Sequence, residues 1–366
     1  MAILLRKKQP RFRKKGSFRR AKAMVISMKI RTASVVAVIV AAVLILSGII
    51  VCAVGSAAAK SSGVMIYPED ENGNSVYKYD FTEKNITKIS VSVKDSDITV
   101  THGGTSSYIE IRNFNANYYK LSTENNILSF NEVDNVASMF KFWDGGFSFK
   151  GMRYLFRFGD GGSGRKTVTV NIADTSVPKT VSLSEESGSF SLTGGSVSAD
   201  YTLSLGKSSA DISGLYTTAA LSVSSSSGAS VKISDCRAKE FSLSGGGGSI
   251  SLSEIGAECA NFSLKSGEIV GENVAFTELS SSSESASLDL RSLDVSKASV
   301  SSVSGQVALR LSSDLKDFAV ELSSKNASVF LNDVHYSNSY SIPNESAEKS
   351  ISVNTDTASI LLNAAK

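Results

Sequence analysis

A short unit recurs through residues 180–363, and its period constrains the fold more than any other feature of the chain. Each copy has a Gly or Ala, then a polar residue, then an apolar residue that we call the anchor. From Ile212 to Val307 the anchors are 19 residues apart in five successive steps. A period of about 20 residues is typical of a solenoid, in which each repeat buries its apolar side against its neighbours. The anchors are Phe190, Ile212, Val231, Ile250, Ile269, Leu288, Val307, Val329 and Ile360.

Apolar and polar residues alternate around each anchor, which predicts short β-strands. A second alternating stretch, such as Leu221-Ser222-Val223, lies shortly before most anchors. Each repeat therefore has two strands, with apolar side chains inward and Ser, Thr or Lys outward. The Gly or Ala two places before each anchor lets the chain turn tightly or pack closely at a corner. We predict an all-β fold, a parallel β-solenoid with rungs of about 19 residues that stack about 4.8 Å apart.

The first 59 residues separate basic residues from apolar ones. Residues 1–31 contain twelve Lys or Arg and no acidic residue, and no further charge occurs before Lys60. The apolar run Ala33–Val54 would form about 33 Å of helix, enough to cross a bilayer. The positive-inside rule then places the N-terminus in the cytoplasm and the C-terminal domain outside the membrane. The predicted domains are a basic tail at 1–31, a transmembrane helix at 32–59, a linker at 60–85, an N-terminal β region at 86–179 and the repeats at 180–363.

Two alternatives for this N-terminal segment stay open. Ala57, Ala58 and Ala59 could form a cleavage site behind a basic region, as in a secretory signal peptide. Cys52 could carry lipid, although Val51 stands where a lipoprotein has a small residue. The basic tail could also bind nucleic acid or anionic lipid, but a topology signal accounts for it, and we predict no nucleic-acid partner.

Aromatic and basic residues concentrate at 139–158, inside the N-terminal β region, with Asp144 as the one acid. Such a surface suits lipid headgroups at the outer side of a membrane, or a partner protein. The alternative is that the rings cap the open end of the first rung. The candidate binding residues are Phe140, Phe142, Trp143, Phe147, Phe149, Lys150, Arg153, Tyr154, Phe156, Arg157 and Phe158.

Residues that could support catalysis or bind metal are scarce, since the chain has two His and three Cys. His102 and His335 each stand alone among polar residues, so we predict no catalytic site, no metal site and no cofactor. The anchor alignment places Asp211 and Glu268 in one outward column, about 14 Å apart by rung spacing. A glycosidase pair lies closer together than that. We therefore interpret both as solvated surface acids.

Two further features concern how the solenoid is held together. Cys236 and Cys259 could lie in adjacent rungs, and either a disulfide or two reduced thiols would be compatible with an oxidising exterior. The last repeat ends near the C-terminus, where an uncovered strand edge would invite pairing. We expect the 332–350 loop to cover this edge, or another molecule to do so through self-association.

The order of the basic tail, the apolar segment, the N-terminal β region and the repeats resembles that of the bacterial putative-adhesin family of β-strand repeat proteins. The residues that carry the resemblance are KTVTVNIADTSVPKTVSLSEESGSFSL at 166–192 and the SGxV and SAxI repeats, and it extends from about residue 86 to the C-terminus. The resemblance implies a cell-envelope protein with adhesion as its assigned role, envelope-stress sensing in some relatives, and no catalytic residues.

Three functions follow from these observations. The first is a membrane-anchored, non-catalytic binding protein, an adhesin-like surface or scaffold module, with the bilayer contacted through residues 33–54. We expect it to bind a cell-surface component, a glycan or an envelope protein. The second is an envelope-stress sensor that contacts lipid, an antimicrobial peptide or a signalling protein through residues 139–158. The third is a polysaccharide-acting β-helix enzyme.

Overall fold

A computed structural model describes residues 76–114, 119–132, 165–175, 177–344 and 346–365. Within these ranges the regular structure is β-strand, apart from one 3-10 turn at Leu315–Asp317, so the prediction of an all-β fold is confirmed. None of the described residues belongs to a helix long and apolar enough to cross a membrane. The predicted span at 33–54 lies outside the described residues.

The strands of the first half are β1 (Val76–Asp80), β2 (Lys88–Val93), β3 (Asp97–His102), β4 (Tyr108–Arg112), β5 (Tyr119–Glu124), β6 (Ile127–Glu132), β7 (Thr167–Ile172), β8 (Thr180–Glu185), β9 (Ser189–Val197), β10 (Asp200–Leu205) and β11 (Ser209–Thr217). Those of the second half are β12 (Ala220–Ser225), β13 (Ala229–Gly245), β14 (Gly248–Glu272), β15 (Ala275–Ser302), β16 (Gln306–Leu311), β17 (Phe318–Ser324), β18 (Val329–Leu331), β19 (Val334–Tyr336), β20 (Ser339–Ile342), β21 (Lys349–Thr355) and β22 (Ser359–Asn363).

Parallel pairing arranges these strands in two long ladders, because each repeat contributes one strand to each ladder. The central part of the first ladder consists of β8, β10, β12, residues 240–245, 259–264 and 278–283, and then 297–302. The central part of the second ladder consists of β9, β11, residues 229–234, 248–253, 266–272 and 285–291, and then β16. A short third ladder follows the second at residues 195–197, 215–217, 236–238 and 255–257. One passage through these ladders is a rung, and the stack of rungs is solenoid-like.

Alternation along the strands builds a single continuous core. All nine predicted anchors are buried; the most exposed, Leu288, shows only 5% of its surface. Aromatic side chains continue the core from rung to rung, as where Phe262 contacts Phe241 and Phe276 edge to face. One rung could not bury its own apolar side, so the stability of each rung depends on its neighbours.

The register corrects the sequence alignment at one repeat. In β11, Ala210 and not Ile212 lies opposite Phe190 and Val231, while Ile212 lies one pleat further along, opposite Ile233. Both Ala210 and Ile212 point inward, so an alternating pattern fits either frame. The shift also moves Asp211 opposite Lys232, out of the column of Glu268, so the two acids do not share a column.

The corners of the rungs explain the recurring small residues. At Gly267 the backbone has a φ of +98°, and a Cβ there would lie 2.3 Å from the carbonyl oxygen of Gly248 in the rung below. A second corner recurs with the 19-residue period, where Asp235, Glu254, Asn273 and Ser292 adopt φ values of 50°, 57°, 55° and 51°. This left-handed conformation costs about 1 kcal/mol or more for a residue with a Cβ. The rung therefore turns at the same place in each of these four central repeats.

Both ends of the solenoid depart from chain order. The rung of β2 and β3 stacks directly on β8 and β9, and the later strands β6 and β7 stack outside it. The predicted N-terminal β region at 86–179 thus pairs in the same ladders as the repeats. At the other end, the last rung, β21 and β22, lies between residues 297–311 and the rung of β17 and β18.

Antiparallel strands cover the outermost rungs. At the N-terminal end β5 pairs with β6, and β4 pairs with β7 and with β1. At the C-terminal end β20 pairs with β17, and β19 pairs with β18. Since β19 and β20 belong to the 332–350 loop, that loop covers the end of the stack. The edge that it covers belongs to β17 and β18 and not to the last repeat, where we predicted it, because β21 and β22 are paired on both sides. Edge strands that turn back in this way do not continue the parallel stack.

Candidate binding surface

The site predicted from sequence, residues 139–158, lies outside the described residues, and its candidate binding residues stay a prediction. The structure does give its two points of attachment. The segment joins β6 to β7, and these two strands form the outer rung at the N-terminal end.

Cys236 and Cys259 are both free cysteines, so the disulfide left open by the sequence is not formed. Cys259 lies opposite Glu240 and Cys236 lies opposite Ile255, which separates the two by four positions of register. Cys236 belongs to the core, where burial raises the pKa of its thiol to about 11. Neither residue forms part of a polar site.

The two histidines lie far apart in the fold and in different surroundings. His102, at the end of β3, has its Nε2 2.6 Å from the hydroxyl of the fully buried Tyr201. Burial lowers the pKa of His102 to about 4, against a smaller opposing effect of Asp174. His335 is exposed on β19. Among the described residues, no group of three or more His, Cys, Asp or Glu could hold a metal ion.

Among the described residues, Glu185 is the one buried acid, and it lies beside a corner of the next rung. Ser208 stands at the corner where most neighbouring rungs have Gly or Ala, and its hydroxyl donates a hydrogen bond to Glu185 Oε2. The other oxygen, Oε1, has no hydrogen-bond partner in the described part of the chain. Burial raises the pKa of Glu185. Since Glu185 exposes 1% of its surface, the pair is a corner contact inside the solenoid and not an accessible site.

An accessible feature that runs along the whole solenoid lies on the outward side of the first ladder, which has three columns of side chains. One column is mixed and includes Lys88, Asp200, Glu240 and Lys297. The other two columns, which we call the serine face, hold Ser, Thr or Asn at every position except Glu321 at the C-terminal end. The first column is Ser129, Ser90, Ser182, Thr202, Ser222, Ser242, Asn261, Ser280, Ser299, Ser352 and Glu321. The second is Asn131, Ser92, Ser184, Ser204, Ser224, Ser244, Ser263, Ser282, Ser301, Asn354 and Ser323.

Strand geometry makes the serine face a regular lattice. Neighbouring rungs are about 4.8 Å apart, and the two columns are separated by two residues, or about 6.6 Å along the strand. None of these side chains is buried. Of the hydroxyls in the two columns, only those of Ser129 and Ser224 hydrogen-bond to other described residues. The rest can exchange hydrogen bonds with water or with a ligand.

The outward side of the second ladder is different, although the same repeats build it. One column there runs Ser191, Asp211, Lys232 and Ser251, and a later part of it runs Asp289, Ala308 and Leu361. The column beside it is Ser-rich and runs Ser189, Ser209, Ser230 and Ser249. The second ladder thus sets a Ser-rich column next to a mixed one, whereas the two columns of the serine face are uniform side by side.

Sequence reasoning placed Ser outward but did not identify this lattice. The signal is present within single strands, as in VSLSE at 181–185, LSVSS at 221–225 and FSLSG at 241–245. To trace the two columns through the whole solenoid, the stacking order of the end rungs must be known, and no period in the sequence gives that order.

Comparison with known proteins bears on the fold. Residues 86–362 match the model of the Toastrack DUF4097 family. Among solved structures, the chain is similar to a putative adhesin from Bacteroides fragilis, at 12% identity and a TM-score of 0.44, over 82% of this chain and 100% of that chain. It is also similar to a putative lipid binding protein from Parabacteroides distasonis, at 13% identity and a TM-score of 0.38, over 82% and 99% of the two chains. A putative adhesin from Parabacteroides merdae is 15% identical, with a TM-score of 0.39 and the same coverage, 82% and 99%. No curated protein matches the chain.

Proposed function

Because the chain belongs to the Toastrack DUF4097 family, we propose that it is a non-catalytic binding module of the bacterial cell envelope and that the serine face is its binding surface. One observation carries this proposal, the uniform row of accessible Ser, Thr and Asn side chains over the length of the first ladder. Folding requires only that outward positions be polar, and the second ladder meets that requirement with a Ser-rich column next to a mixed one. A uniform surface is what an extended ligand would need.

Membrane anchoring is a part of this proposal that rests on the sequence. The apolar run at 33–54 and the basic residues before it would hold the solenoid on the outer side of the membrane. The linker at 60–85 enters the solenoid through β1, which pairs at the β6–β7 end. The serine face would then extend away from this end, towards β17 and β20.

Two double variants test the proposed surface. Ser242→Glu/Ser280→Glu places two bulky charged side chains in one column of the serine face, with Asn261 between them. Ser209→Glu/Ser249→Glu adds the same charge at exposed positions of the second ladder and is the matched control. The measurement is binding of the fluorescently labelled full-length protein to isolated bacterial cell walls.

We expect the serine-face variant to bind about tenfold more weakly, which corresponds to about 1.4 kcal/mol. The control variant should bind as the unchanged protein does, since its ladder faces elsewhere. Equal losses in both variants would show that charge alone weakens binding and would refute the assignment of the serine face. Equal circular dichroism spectra of the three proteins are the check on folding.

A second function, an envelope-stress sensor, is favoured by a specific observation. Residues 139–158 are inserted into the same outer rung at which β1 brings in the linker from the proposed anchor. A cationic aromatic segment suits the headgroups of a membrane. It could contact lipid, an antimicrobial peptide or a signalling partner there.

The single tryptophan of the chain, Trp143, reports on this second function. The full-length protein is mixed with anionic and with neutral vesicles, and its emission is recorded. A blue shift with anionic vesicles alone would support lipid contact. Emission that is blue in buffer and unchanged by either vesicle would mean that Trp143 is packed as a cap, which would exclude lipid contact through this ring.

A further inference from the structure

We infer that the ligand of the serine face is an extended, uncharged polysaccharide that lies along the solenoid axis and contacts the two columns rung by rung. This inference rests on the proposed function, because it names the class of ligand for the same surface. Three properties of the face support it: its charge, the size of its side chains and its repeat.

The charge of the face favours a neutral partner. Its two columns hold no Lys or Arg and one acid, Glu321, at the C-terminal end. Polyanions such as nucleic acid bind through rows of Lys and Arg, which this face does not offer. The charges beside it have mixed sign, as at Glu278 and Lys297, whose side chains are 3.4 Å apart. Attraction between net charges would therefore not bring a partner to this surface.

Large apolar side chains are equally lacking from the two columns, which argues against a protein or lipid partner. Protein interfaces are centred on buried aromatic, Met or Arg side chains that fill pockets on the partner. The two columns of the serine face contain none of these residue types. What the face offers is a dense set of hydroxyl and amide groups that can both donate and accept hydrogen bonds. A polyhydroxylated chain has the complementary groups.

The size of the side chains points to a ligand that lies flat. Exposed strand positions favour Thr, Val, Ile and aromatic residues, because these pack against their cross-strand neighbours. The columns use Ser nearly throughout, with Thr at Thr202 alone, so strand propensity does not explain the choice. Short side chains of equal length leave a level surface, and the two columns are about 6.6 Å apart along the strand. A single sugar ring is of this width.

The repeat of the lattice gives the ligand its direction. One pair of polar side chains recurs at each rung, about every 4.8 Å along the axis. The sugar units of an extended polysaccharide recur at a similar distance, so one chain can contact every rung. In a β-1,4-linked chain, neighbouring rings face opposite ways, so equivalent contacts would recur at every second sugar. A hydrogen bond exchanged with water contributes little by itself. Affinity would therefore depend on many contacts to one chain, and hence on its length.

The experiment compares ligands of one chemistry and increasing length. Neutral β-1,4-linked glucan oligosaccharides of two to eight sugars are added to the full-length protein, and binding is measured by isothermal titration calorimetry. Insoluble cellulose and chitin are used in pull-down assays, with the polyanion alginate as the charged counterpart. The serine-face variant Ser242→Glu/Ser280→Glu and the control Ser209→Glu/Ser249→Glu are measured beside the unchanged protein.

We expect affinity to rise about tenfold or more between the shortest and the longest oligosaccharide, as contacts are added along one chain. The serine-face variant should lose this gain and the control should keep it, with alginate bound no better than the neutral polymers. Binding to alginate alone, or affinity independent of length, would overturn the inference. The length series needs no variant, so the inference stays testable if a variant fails to fold.

The outcomes also separate this inference from the proposed function. Cell-wall binding that depends on the serine face, without binding of any neutral polysaccharide, would refute the ligand class and leave the surface assigned. Cell-wall binding that does not depend on the serine face would refute both. Concentration-dependent dimers in sedimentation, lost in the serine-face variant, would show that a second copy of the chain occupies this face and would overturn the polysaccharide.

Discussion

Lowering the pH from about 7.5 to about 5 should remove roughly 2 kcal/mol of stability through one residue, His102. Its imidazole is neutral in the folded chain, where Nε2 lies 2.6 Å from the hydroxyl of Tyr201. Nδ1 is buried and has no hydrogen-bond partner among the described residues. Protonating this ring would place a charge in a largely desolvated site, where the attraction of Asp174 offsets only part of the cost.

The sign and the size follow from the two pKa values. The folded chain holds the pKa of His102 at about 4, below the ordinary 6.5, mainly because of desolvation. The unfolded chain therefore binds the proton first as the pH falls, and stability is lost between about 6.5 and about 4. The full difference corresponds to about 3 kcal/mol, of which about 2 kcal/mol is lost by pH 5. Glu185 opposes this loss, because burial raises its pKa and acid then favours the folded form.

The test compares the full-length protein with His102→Gln, which keeps a polar group for Tyr201 but does not titrate. Urea denaturation, followed by circular dichroism, gives the free energy of unfolding at each pH. The contribution of Glu185 is present in both proteins and cancels in their difference. We expect the unchanged protein to lose about 2 kcal/mol more than the variant between the two pH values. Parallel pH profiles would refute the reasoning, and His335→Gln, at an exposed position, serves as control.

Three further predictions concern corners, thiols and edges. Ser292→Gly should raise the free energy of unfolding by about 1 kcal/mol, because Gly relieves a left-handed φ of 51°. Ser299→Gly, within a strand, should lower the free energy of unfolding by about as much. Urea denaturation measures both changes. Iodoacetamide should modify Cys259 in the folded protein and Cys236 only after unfolding, since Cys236 is buried; peptide mapping that finds both labelled at equal rates would contradict this. Deleting residues 334–342 should expose the edges of β17 and β18, which form the outermost rung, and produce oligomers in sedimentation. A monomer would contradict the role of the loop as a cover.

Local alternation and the recurring anchors are enough to predict the strands, the inward residues and the solenoid. The frame at β11 could not be found in this way, because Ala210 and Ile212 both point inward. Only pairing across rungs distinguishes them, and that pairing is a long-range property. The serine face escaped prediction for the same reason, since each strand shows its outward Ser but not which residues lie beside them.

The order of the end rungs was also hidden from the sequence, and it leads to a prediction about length. In a simple solenoid the last repeat in the chain is the last rung, so it can be removed with little effect on the others. Here the C-terminal rung, β21 and β22, is internal and pairs with residues 297–311 on one side and with β17 and β18 on the other. Removing it would leave two rungs without a neighbour.

Two deletions of nearly equal size make this difference measurable. Deleting residues 259–277 removes one 19-residue period and brings Glu278 into the place of Cys259, so the parallel ladders can close again. Truncation before Lys349 removes the internal rung and cannot be repaired by neighbouring strands. We expect the internal deletion to unfold cooperatively in circular dichroism and the truncation to aggregate or to lose its melting transition. If the truncated chain were the more stable of the two, the internal position of the C-terminal rung would be refuted. Natural changes in the length of such a solenoid should accordingly occur among its central rungs, because both of its ends are closed by strands from within the chain.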